Sequence, residues 1–182
     1  MSRSDGPLLV LGVGNVLLRD EGVGVRVVRE IEGLTASGRV ELPAGTRLVD
    51  GGTLGLDLLP LIDDSRALLM VDAIDLGRAP GSVEVMHGGA LQGAIAGHIS
   101  PHQVGVGDLL AAARLMGTLP EAVALIGIQP AEIAVGLALT DVVEAAVPAA
   151  VHAVVMELRR LAAAVPGTGP ILDRSVATAA MG

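Results

Sequence analysis

Three short apolar runs without charged residues dominate the sequence. Turn residues follow each run, either directly or within a few residues. The runs read "LLVLGV" from Leu8, "ALLMV" from Ala67 and "AVALIGI" from Ala122. Such runs are typical of strands buried on both faces, as in a parallel sheet. From Val23 onward the apolar spacing changes to that of a helix. This alternation predicts an α/β fold with three α/β/α layers around a mostly parallel sheet.

Other segments complete the predicted order of elements. "TRLVDGGT" and "GSVEVM" have the composition of further strands, and "TLGLDLLPLI" that of a short helix. A helix is predicted between Ser100, as its N-cap, and Gly117, as its end. The last helix opens at Thr140 or Asp141, and Pro148 is expected to kink it or to mark a later start.

Length and composition restrict the class of protein. The chain of 182 residues fits one domain over 1–165, followed by a loosely held tail over 166–182. It has no Phe, Tyr or Trp, so bases cannot stack on aromatic side chains. The net charge of −8 argues against nucleic-acid and anionic-membrane partners, and the absence of Cys excludes a thiolate site. We expect a cytoplasmic protein, because no apolar stretch has the character of a signal peptide or membrane span.

Polar residues occur where the predicted strands end. Glu21 follows the first strand, Asp50 and Asp72 end the second and third, and His102 lies at the start of the helix after a glycine-rich segment. Because the carboxyl ends of parallel strands share one edge of a sheet, two or three of these carboxylates and the imidazole can converge on one crevice. Carboxylate and imidazole ligands suit a divalent transition metal such as zinc or nickel.

Each candidate also has a structural interpretation. Asp20 or Glu21 could simply cap the first helix, and Asp50 before two glycines is typical of a turn. His102 could be an ordinary residue of a first helical turn. Asp72 is the hardest to explain structurally, because an unpaired carboxylate next to a buried apolar run is costly.

The segment "GVGNVLLRDEGVG" offers a competing interpretation as a nucleotide-binding loop. It begins with Gly12 and Gly14, but the third glycine of the dinucleotide pattern is replaced by Leu17. The chain contains no Lys, which excludes the G-x-x-x-x-G-K-[ST] phosphate loop. A Rossmann-like cofactor-binding protein is therefore the weaker alternative.

Five motifs occur in order within Leu8 to Leu161: "LGVGNVLLRDEGVGVRVV", "DGGTLGLDLL", "LLMVDAID", "SPHQVGVGDLL" and "IGIQP". In this order they resemble the hydrogenase maturation proteases, the endopeptidases that process the large subunit of nickel–iron hydrogenases. The resemblance implies a five-stranded, mostly parallel sheet. It also implies that Glu21, Asp72 and His102 are the nickel-binding catalytic residues, and that Asp50 supports them or contacts substrate.

The resemblance further implies the reaction and the partner. The precursor of the large subunit carries the nickel, the protease docks on that ion, and a short C-terminal peptide is removed. A metal-polarised carbonyl or a metal-activated water is the expected route of hydrolysis. We expect a monomer that binds no nucleic acid and no membrane, with another divalent metal able to occupy the isolated protein. A nickel-binding maturation chaperone without proteolysis is the alternative, because it would use the same ligands.

Overall fold

The computed structural model describes residues 6–96 and 106–165, and they form a five-stranded sheet with helices on both faces. The strands lie in the order β2-β1-β3-β5-β4, with β4 antiparallel to β5 and the other pairs parallel. The predicted mostly parallel sheet is confirmed. The strands are β1 (Leu8–Val13), β2 (Thr46–Gly52), β3 (Ala67–Ala73), β4 (Val83–His87) and β5 (Ala122–Ile128).

Two helices cover one face of the sheet and three cover the other, which confirms the three layers. The alternation of β3 shows the division: Leu69 and Val71 pack with the first helix and the last, whereas Leu68 and Met70 pack with the other three. Across the described residues no helix is long and apolar enough to span a membrane. The helices are α1 (Val23–Ala36), α2 (Leu59–Asp63), α3 (Gly88–Ala96), α4 (Val106–Leu115) and α5 (Asp141–Ala164).

Two expectations about helices need correction. No helix is predicted in the glycine-rich segment, yet α3 forms there. Leu91 is buried against the sheet, and such packing overrides weak helix propensity. The last helix begins at Asp141 and continues through Pro148, so a start after the proline is wrong. Pro148 is exposed, so the hydrogen bond it cannot make lies on the solvent side. The predicted cap at Ser100 and the tail over 166–182 lie outside the described residues.

Glycines bring the turn after β1 unusually close to the sheet. Gly14 has a φ of 127°, and a Cβ atom there would lie 1.8 Å from the carbonyl oxygen of Glu21. A Cβ atom on Gly24 would lie 2.1 Å from the carbonyl oxygen of Val71 in β3. Only glycine permits such backbone contacts. They place the 3-10 turn Arg19–Gly22 directly beside the ends of the central strands.

Asp20 connects this turn to the loop that precedes α5. Its fully buried carboxylate accepts hydrogen bonds from the backbone N–H groups of Ala131 (2.9 Å), Glu132 (2.9 Å) and Thr140 (2.7 Å). The hydroxyl of Thr140 donates a further bond of 2.9 Å. Burial by itself would raise the pKa of Asp20, but these hydrogen bonds hold it below its usual value. Asp20 therefore fixes the loop 131–140 rather than capping α1.

We expect Asp20→Asn to destabilise the protein by about 2 to 4 kcal/mol, because an amide supplies one acceptor oxygen where four donors now meet a buried carboxylate. Urea denaturation at pH 7 measures the loss. The lowered pKa means that the stabilisation is present above about pH 4 and is lost as the pH falls through the folded-state pKa. The exposed Asp57 supplies the control, since Asp57→Asn should change stability by less than about 0.5 kcal/mol. Equal stability of the two variants would contradict the role given to Asp20.

Candidate metal-binding site

Glu21 projects from the 3-10 turn into the protein. Its Oε2 atom is buried and has no hydrogen-bond partner among the described residues. Burial raises the pKa of the Glu21 carboxyl, which shows that its surroundings disfavour the negative charge. A buried carboxylate oxygen without a donor is costly to a fold. The arrangement suits a carboxylate whose partner is a cation supplied from outside these residues.

Asp72 lies near Glu21, at the carboxyl end of β3. By the alternation of the strand it shares the face of Leu68 and Met70, which α2, α3 and α4 cover. Burial raises the pKa of Asp72 to about 7, although the backbone N–H of Ala73 donates a 2.8 Å hydrogen bond to Oδ1. The charge of Glu21 raises this pKa further, so the two carboxyl groups are close enough to repel each other.

A divalent cation would remove both sources of cost at this pair. It would replace the repulsion between Glu21 and Asp72 by attraction and would favour the ionised form of each. Two carboxylates fill only part of a coordination shell, which leaves positions for further ligands. Within residues 6–96 and 106–165, no three His, Cys, Asp or Glu side chains are grouped closely enough to hold a metal.

His102, the third predicted ligand, lies outside the described residues. The chain continues from it into α4, which begins four residues later at Val106. Val106 packs in the same apolar cluster as Met70, on the face of the sheet that Asp72 shares. The start of α4 is therefore on the same side of the sheet as Asp72.

Asp50 does not join this pair. In β2, Leu48 packs with α1 and α5 while Val49 packs on the opposite face, so Asp50 falls on the α1 side. Its carboxylate pairs with Arg29 of α1, which donates from Nη2 at 2.7 Å and from Nε at 3.1 Å. Strand alternation separates Asp50 from Asp72, so of the two or three carboxylates that could converge, the described residues bring together two, Glu21 and Asp72.

Gln129 supports the chain beyond Asp72, a role that the sequence analysis did not assign. Its nearly buried side-chain oxygen accepts hydrogen bonds from the backbone N–H groups of Leu76 (2.7 Å) and Arg78 (3.2 Å), and its amide nitrogen donates to Asp75 (3.2 Å). These bonds fix the loop that follows β3. A polar residue between an apolar strand and a proline, in "IGIQP", was the available sequence signal.

The turn after β1 is not arranged to bind a phosphate. A phosphate loop needs free backbone N–H groups, but here the protein uses several of them itself. The N–H of Gly14 donates to Gly52 (3.0 Å), and that of Arg19 donates to Gly136 (2.9 Å). Because Glu21 also brings a carboxylate to this turn, the nucleotide-binding interpretation does not fit the structure.

Comparison with known proteins identifies relatives of the whole domain. A family model, HycI, described as hydrogenase maturation protease, matches residues 25–157. The hydrogenase expression/formation protein HupD of Rhodobacter capsulatus is 42% identical over 154 residues, which cover 84% of this chain and 71% of the relative. The hydrogenase 2 maturation protease of Escherichia coli K12 is 37% identical over 153 residues, 84% of this chain and 90% of the relative.

The fold has a solved counterpart as well. The hydrogenase maturating endopeptidase HybD from E. coli superimposes with a TM-score of 0.74 at 37% sequence identity, and the match covers 85% of this chain and 93% of that one. The family match includes β2 to β5, Asp72 and most of α5. By sequence and by fold, the chain belongs to the hydrogenase maturation protease family.

Proposed function

We propose that this protein is an endopeptidase that removes a C-terminal peptide from the nickel-loaded precursor of a nickel–iron hydrogenase large subunit. Family membership supports the reaction and the partner. The observation that carries docking on the metal is the buried Glu21 Oε2, which lacks a partner among the described residues and lies near Asp72. An incomplete, anionic half-site of this kind suits a cation that arrives with the substrate.

In this proposal Glu21, Asp72 and His102 bind the nickel of the precursor, which is part of the substrate. Thiolates of the precursor supply the remaining ligands, since a carboxylate pair and one imidazole do not fill the shell. The ion positions the precursor so that its C-terminal peptide bond lies at the carboxyl edge of the sheet. Hydrolysis adds water across that bond and releases a new carboxyl terminus and a free amine.

We also propose that the protein acts as a monomer in the cytoplasm, without a nucleic-acid or membrane partner. The net charge of −8 supports the absence of nucleic-acid and membrane partners, because polyanions and anionic membranes would be repelled. In the absence of precursor, the same half-site would accept other divalent cations that favour oxygen and nitrogen ligands.

Incubation with purified precursor tests the function directly. We expect cleavage of nickel-loaded precursor, detected as a mass loss at its C-terminus, and no cleavage of nickel-free precursor. The isolated protease should bind nickel only weakly in calorimetry, because its half-site is incomplete. Efficient cleavage of nickel-free precursor would contradict docking on the ion. A loaded precursor that is bound but never shortened would instead identify a maturation chaperone.

Glu21→Gln tests the first carboxylate. The amide keeps the size of the side chain and loses the charge, so kcat/KM for loaded precursor should fall at least about tenfold. Thermal stability should be unchanged or higher, because burial already disfavours the ionised form of Glu21. Glu32→Gln, at an exposed position of α1, is the matched control and should process normally. Equal activity of the two variants would show that Glu21 is not a ligand.

Asp72→Asn should separate stability from activity. Because the folded-state pKa of Asp72 is raised to about 7, ionisation destabilises the folded state, and stability is lost as the pH rises from about 4 to about 7. Each unit of pKa difference corresponds to about 1.4 kcal/mol. We therefore expect Asp72→Asn to be more stable than the wild type at pH 8 in urea denaturation, to gain less at pH 5, and to lose processing. Lower stability at both pH values would contradict this account.

A further inference from the structure

Two loops at the carboxyl edge of the sheet expose large apolar side chains. Val135 is 91% exposed and Leu137 81%, both in the loop before α5, which also exposes more than half of Ile133. Leu17, in the turn after β1, is 58% exposed. Clustered exposed apolar side chains mark an interaction site more often than single ones do. We call Leu17, Ile133, Val135 and Leu137 the rim patch.

Backbone hydrogen bonds hold the two loops of the rim patch against each other. The N–H of Gly136 donates to the carbonyl of Leu17 (2.9 Å), and the N–H of Arg19 donates to the carbonyl of Gly136 (2.9 Å). Gly136 also packs on the Arg19 side chain, where a Cβ atom would lie 3.0 Å from Cγ. Leu17 is therefore a neighbour of the segment that carries Val135 and Leu137. These hydrogen bonds fix the two loops of the rim patch relative to each other.

The rim patch is also attached to the metal half-site. The hydrogen bonds of Asp20 fix the loop 131–140, and Glu21 is the next residue in the same turn. The patch and Glu21 therefore lie at the same edge of the sheet, joined through the single turn Arg19–Gly22. The flanking charges of Arg19 and Glu132 form an ion pair and contribute no net charge. An apolar partner surface matches this neutral rim.

We propose that the rim patch is the docking surface for an apolar segment of the hydrogenase large-subunit precursor. The proposal rests on the proposed function, because its occupant is the same substrate that carries the nickel. A second copy of this chain is the less suitable occupant, since it would cover the approach to Glu21. Binding at the rim adds contact area to a few metal–ligand bonds and orients the precursor about the ion.

The test combines a rim variant with a matched control. The double variant Val135→Ser with Leu137→Ser removes apolar surface at strongly exposed positions, so its melting temperature should equal that of the wild type. We expect KM for nickel-loaded precursor to rise about tenfold or more while kcat stays within about twofold. The control is Leu115→Ser with Met116→Ser, 90% and 63% exposed at the end of α4, and its KM should be unchanged.

Further measurements separate the possible failures. Leu17→Ser, in the other loop, should also raise KM, and weak binding of nickel alone should be the same in all variants. Failure of the wild type to process any precursor would overturn the proposed function and this inference with it. An active wild type whose KM the rim variants leave unchanged would overturn the inference alone. So would sedimentation showing a wild-type dimer that the rim variant converts to a fully active monomer.

Discussion

The buried carboxylate of Asp20 joins the turn after β1 to the loop before α5, and the carboxyl edge of the sheet depends on that connection. Its acceptor capacity is used by four donors. The adjacent carboxylate, Glu21, has an oxygen that receives none from the described residues. Neighbouring acids thus have opposite surroundings, and the pKa of one is lowered while the pKa of the other is raised. Asp20 stabilises the fold, whereas Glu21 has a buried oxygen without a donor among the described residues, which is the observation behind its proposed role as a ligand.

The surroundings of Glu21 cost stability, and such a cost is typical of a functional site rather than of a structural contact. Glu21 and Asp72 lie near each other in surroundings that disfavour both charges, and the protein loses stability when both are ionised. Selection for stability alone would replace such a pair with neutral side chains, because most proteins tolerate such costs only where activity requires them. Gln129 and Asp20 use ordinary hydrogen bonds to hold the two acids in place. The energetic penalty is confined to the two residues that the proposed function assigns to nickel binding.

Local sequence pattern predicted the strands, α1 and the position of Asp72, because these depend on neighbours in the chain. The role of Asp20 could not be predicted, since its partners lie 111 to 120 residues away. Asp50 shows a second limit. Successive side chains of a strand face opposite sides of the sheet, so an error of one residue in the predicted strand assigns a side chain to the wrong face. The helix α3 shows a third, because its glycines oppose helix formation and only the packing of residues such as Leu91 favours it.

The glycines after β1 show how one pattern serves two kinds of site. In nucleotide-binding folds they free backbone N–H groups for phosphate, whereas here Gly14 and Gly24 make room for carbonyl oxygens of the protein itself. Because the turn lies this close to the sheet, Glu21 is placed near Asp72. On the proposed function, recognition is divided between this metal half-site and the apolar rim. Because neither part offers a complete set of contacts, strong binding requires a partner that presents both an ion and an apolar surface.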